Sequence, residues 1–152
     1  MESVNIFGIT GEHSLLHWSP SSPLPMSLQS QLFPVPGPFS CGFTTSSQVY
    51  LDGITQVPLS DTSLGVTKIS SGTSHPVVPG PLTDEPSWEA TYPNGSYAPS
   101  SGIRGGFGFY VAGPDFFTAL LPNATEVLTS YSVLFQDDWE WQLGGKLPGQ
   151  CM

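Results

Sequence analysis

The stretch "WEWQLGGKLPGQCM" holds the side chain in this sequence best placed to do chemistry, Lys146. The chain carries three Lys+Arg against twelve Asp+Glu, a net charge of -9, so Lys68, Arg104 and Lys146 are its whole supply of strong cations. Gly144 and Gly145 leave room for a ligand to approach the backbone. Leu147-Pro148-Gly149 then fixes a bend. An amine partly desolvated beside Trp139 and Trp141 would have its pKa lowered and could accept a proton. Kept charged, it would pair with a carboxylate on a ligand. An exposed loop lysine after a hairpin is the plainer reading, and composition alone favours it.

Little else in the sequence has the form of a catalytic site. His13, His17 and His75 are scattered, and Gly-x-Ser-x-Gly, His-Glu-x-x-His, phosphate-loop and dinucleotide patterns are absent. A His/Cys metal site is therefore unsupported, and no cofactor is required. Asp137, Asp138 and Glu140 offer oxygen ligands to a hard cation such as calcium, although a solvated acidic turn is the stronger reading. The negative charge excludes DNA or RNA as a partner and disfavours an anionic membrane. No run of 18 apolar residues occurs, so no membrane span is expected. A polyanion could bind only where a cation stands at the point of contact. Cys41 and Cys151 are too few and too far apart to form a framework, and a bridge between them stays open. The sequons Asn94-Gly-Ser and Asn123-Ala-Thr point mildly to secretion, whereas the first thirty residues lack the form of a signal peptide.

The elements that must position these residues read as short strands. The 16 prolines and 17 glycines oppose long helices. Residues 1–38, with "HWSPSSPLPMSLQSQLFPVPGP", are expected to be a disordered Pro/Ser-rich leader, and the ordered domain to span 39–152. Strand character follows in "LGVTKIS", "SWEATY" and "GGFGFYVAG". In the last of these, Phe107, Phe109 and Val111 should face the core, and Gly106, Gly108 and Tyr110 the other side. That second face could floor a sugar ring against Tyr110, or be covered by another loop. "EVLTSYSVLFQ" reads as the longest strand, with a mixed face ending in Gln136, and "PDFFTALL" as a short helix. The pattern predicts an all-β fold, an antiparallel β-sandwich with a jelly roll as its best version, and incomplete because only about six strands can be counted.

"SYSVLFQDDWEWQLGGKLPG" resembles the signature of fungal polysaccharide lyases of the alginate lyase and glucuronan lyase type, the family-14 and family-20 group. "PLSDTSLGVTKISSGTSHPV", "SWEATYPNGSYAPSSG" and "GGFGFYVAGP" resemble that group in order and spacing, so the likeness runs from Phe39 to Gly149. It implies a jelly roll that cleaves uronic-acid polysaccharides by β-elimination outside the cell. That reaction removes the C5 proton, neutralises the adjacent carboxylate and protonates the leaving oxygen. Lys146 matches the motif lysine and is the expected catalytic residue, and His75 is an expected acid–base or binding partner. Arg104, Tyr110 and Gln136 are assigned to the groove from strand facing and charge rather than from the motif.

The chain also departs from the group. Its members continue well past the lysine motif, and the Tyr, Arg and Ser groups that complete their sites come from that part; here "QCM" follows. The chain is thus expected to be a truncated, monomeric lyase, poorly soluble and without lyase activity. A non-catalytic carbohydrate-binding sandwich is the alternative, and a nonfunctional remnant a third reading.

Overall fold

The computed structural model describes residues 9–10, 30, 33, 38–80, 84–135, 139 and 149. Lys146, Gln136, Cys151 and the acidic residues Asp137, Asp138 and Glu140 lie outside them.

Among the described residues strands outweigh helix, as expected for an all-β chain. The strands are β1 (Ile9–Thr10), β2 (Phe39–Thr44), β3 (Ile54–Gln56), β4 (Val66–Thr67), β5 (Val77–Pro79), β6 (Pro86–Trp88) and β7 (Tyr110–Val111). They form one three-stranded sheet in the order β1-β2-β3 and two pairs, β4–β7 and β5–β6. These sheets are small and unclosed. Ile9 and Thr10, in the stretch expected to be the leader, pair with Cys41 and Phe39. Three of the pairings are antiparallel, as expected, but β2 and β3 run parallel, with Gly42 opposite Ile54 and Thr44 opposite Gln56.

β2 organises the core because its aromatics serve two clusters. Phe43 packs with Leu59, Leu64, Trp88 and Phe117. Phe39 packs with Phe33 and Val49, and its ring meets that of Phe33 edge-on at 5.5 Å. Phe117 is delivered by α1 (Asp115–Thr118), which Pro114 opens with an extended backbone. Its ring meets Phe43 edge-on at 4.9 Å, a favoured aromatic geometry. Gly113, at φ +93°, makes the entry into α1, and a Cβ there would stand 3.0 Å from both rings. The β5–β6 ladder ends where Pro79 faces Pro86, since neither offers an N–H. Beyond it the Gly80 amide donates to the Glu85 carbonyl at 2.7 Å.

The stretch expected to be the longest strand behaves differently. Apart from an isolated bridge at Leu128, the described residues from Glu126 to Phe135 form no strand. Tyr131 packs against the Phe43 cluster and Leu128, from the opposite face of the predicted alternation, against the Phe39 cluster, while Val127 is exposed, so neither a ladder nor a single inward face forms there.

Candidate functional site

Three sequence-predicted site residues, His75, Arg104 and Tyr110, border one strip, in which segment 66–75 runs beside segment 104–111. Val66 faces Val111 and Thr67 faces Tyr110 across β4–β7, and the Ser70 amide continues the contact by donating to the Gly108 carbonyl at 2.8 Å. The register fixes the facing. Val66, Val111, Phe107 and Phe109 pack on the Phe43 cluster, as the alternation predicts, and Tyr110 is 48% exposed.

Lys68 lies at the end of β4. Strand alternation would turn it inward with Val66. Instead it adopts φ +51°, a left-handed conformation that costs a non-glycine residue about 1–2 kcal/mol. The turn brings its ammonium out over Tyr110, with Nζ 4.4 Å from the ring centroid, within cation–π range. Among the described residues no carboxylate forms an ion pair with Lys68. Sequence reasoning counted Lys68 among the three scarce cations but did not place it beside Tyr110.

Arg104 is exposed, but its guanidinium is engaged: Nη1 donates to the Ser71 carbonyl. The same side chain lies against Gly72, at φ +75°, where an added Cβ would collide with the guanidinium. Arg104 therefore clamps the 70–73 turn. A parallel bridge between Arg104 and Ala98 fixes the other side of the clamp.

His75 sits beneath the strip in an aromatic nest, with Phe109 at 5.0 Å, Phe107 at 5.6 Å and Trp88 at 6.1 Å between ring centroids. Nε2 approaches Asp61 Oδ1 at 3.0 Å and Oδ2 at 3.2 Å, while Nδ1 is buried with no hydrogen-bond partner. One ring nitrogen faces a carboxylate and the other faces aromatic packing, so neither opens onto solvent unoccupied.

The glycine floor is occupied by the chain itself. Gly106, at φ +70°, lies under the Tyr92 hydroxyl, and Ser70 Oγ covers Gly108. Close approach to the backbone is the reason for these glycines, and the approaching groups are the chain's own loops. Tyr92 in turn meets Trp139 edge-on at 5.3 Å, and Trp139 contacts Phe135 at 5.4 Å, so Trp139 is held beside this strip.

Two hollows, of about 260 and 430 Å³, lie along the β2–β3 region, lined by residues such as Ser46, Gln56, Tyr50 and Asp52. Neither presents a cation to an acidic ligand. Among the described residues no group of three or more His, Cys, Asp or Glu could hold a metal, and no helix is long and apolar enough to cross a membrane. Cys41 is a free thiol, half-buried, with its pKa pushed up by burial.

Residues 81–151 match the family model Polysaccharide lyase 14. The matched segment contains Arg104, Tyr110, Gln136 and Lys146, and supports the lyase family for that part of the chain. No curated protein and no solved structure gives a significant match.

Proposed function

We propose that this chain carries a polysaccharide lyase domain directed at uronic-acid polysaccharides of the alginate or glucuronan kind, built on a jelly-roll plan and working outside the cell. The carrying observation is the lyase family match over residues 81–151, which includes Gly-Gly-Lys-Leu-Pro-Gly. In β-elimination the C5 proton leaves as a carbanion develops next to the carboxylate, and a cation at that carboxylate lowers the barrier. Lys146 is assigned this role, or that of the base. Gln136, Arg104 and Tyr110 are assigned to the binding surface around it.

On its own the chain is proposed to bind and not to turn over. Arg104 donates to Ser71 and His75 contacts Asp61, which supports structural or binding roles for both over protonation of the leaving oxygen. The strip of exposed Tyr110 under Lys68 favours retained binding, which is the carbohydrate-binding reading. The test incubates the chain with alginate, polyglucuronate and a neutral glucan, and follows binding together with ultraviolet absorbance of the C4–C5 double bond. Preference for the uronates with flat absorbance is expected, and Lys146→Ala should weaken binding. Equal affinity for the neutral glucan defeats the uronate reading. Rising absorbance that Lys146→Ala abolishes defeats only the claim of inactivity.

A further inference from the structure

We propose that Lys68 and Tyr110 form an anionic-sugar subsite, taking one uronate unit with its carboxylate on the ammonium and its pyranose ring beside the phenol. This deepens the lyase reading above and rests on it. Three observations meet here. The first is backbone conformation: strand alternation would bury Lys68, and a left-handed residue at the end of β4 turns it onto the outer face occupied by Thr67 and Tyr110.

The second is electrostatic. In a chain of net charge -9, Lys68 has no carboxylate partner among the described residues. Its contact is a π-face, which leaves the ammonium donors available to an incoming acid group. Arg104 differs, because its guanidinium already donates to Ser71.

The third is chemical fit. Tyr110 is half-exposed and offers apolar ring surface with a polar tip, the combination that suits a sugar's C–H face and hydroxyls. The Arg104 clamp on Ser71 holds the 70–73 turn, and the Ser70–Gly108 hydrogen bond ties that turn to the strand bearing Tyr110. The two side chains are thus carried by backbone fixed on both sides. The opposing field of the other carboxylates makes the subsite selective for a ligand that reaches the ammonium at contact range, under salt that screens the rest.

Binding of polyglucuronate oligomers to the intact chain, against neutral glucan oligomers of equal length, tests the assignment. Lys68→Asn is the chosen variant because asparagine tolerates the left-handed conformation without the charge. Lys68→Arg restores the cation, and circular dichroism checks the fold of each. Lys68→Asn should weaken uronate binding about fivefold, and Lys68→Arg should recover most of it. Tyr110→Ala should weaken it comparably, and the effect of Lys68→Asn should vanish near about 1 M salt. If both Lys68→Asn and Tyr110→Ala bind like the wild type while Lys146→Ala does not, the subsite is wrong and the lyase reading stands. If the wild type shows no preference for the uronate, both fall.

Discussion

Glu85 is the buried carboxylate on which the packing of the β5–β6 hairpin depends. It is only 5% exposed. Its oxygens accept from the Ser47 hydroxyl at 2.5 Å, the Ser47 amide at 2.9 Å and Gln48 Nε2 at 3.3 Å. Burial by itself would push the Glu85 carboxyl up, but these donors together with Ser46 outweigh it and hold the group below the ordinary glutamate range. Glu85→Gln keeps one oxygen for one Ser47 donor and turns an NH₂ toward the other. One charge-assisted bond is lost, so the expected destabilisation is about 2 kcal/mol. For a chain of this size that lowers the Tm by about 4–8 °C, read by thermal unfolding at neutral pH. The pH dependence has a fixed sign. A carboxyl whose folded pKa is depressed contributes stability above its unfolded pKa, near 4, and loses it as pH falls through its folded value. The wild type should therefore lose stability on acidification faster than Glu85→Gln, and the gap between them should narrow as pH falls below the ordinary glutamate range. Equal Tm values at neutral pH, or a gap that stays constant on acidification, would refute the reasoning.

Gly113→Ala should cost about 3 kcal/mol in denaturant unfolding, because the new Cβ meets Phe43 and Phe117 at 3.0 Å and the backbone stands at φ +93°. Phe43→Ala, at the fully buried centre of the larger cluster, should cost about 3–5 kcal/mol by the same measurement. His75→Phe should leave stability unchanged or raise it by about 1 kcal/mol, since the aromatic nest is kept and an unpartnered buried Nδ1 is removed. A loss above about 2 kcal/mol would show that the contact with the half-exposed Asp61 holds the nest together.

Facing was legible where alternation has a single cause. Phe107, Phe109 and Val111 turn inward and Tyr110 outward as the period-2 pattern predicts, although only Tyr110 and Val111 lie in a strand. The same pattern misled in "EVLTSYSVLFQ", where no strand pairs along the described residues and Leu128 and Tyr131, from opposite faces of the alternation, both pack inward. The glycines before Tyr110 announced a close approach but not its source, which is Tyr92 and Ser70 from other loops. Glu85 was invisible because its partners lie 37 and 38 residues away and nothing local marks it. Lys68 was counted among the three cations but given no role, because its outward placement depends on one backbone dihedral, which lysine itself does not signal.

Parallel neighbours commonly need a crossover of about a dozen residues or more. Here the return from β2 to β3 is made by residues 45–53, and Gly53, at φ +81°, closes it directly beneath the Phe39 carbonyl. Such a connection has little slack. Removing one residue from it would draw β3 along by one position, turning Ile54 away from the Phe39 cluster and Thr55 toward it. Sequence drift in this segment should therefore reject insertions and deletions, and should also spare Ser47, Val49 and Gly53, which hold Glu85, fill the Phe39 cluster and pass beneath the Phe39 carbonyl.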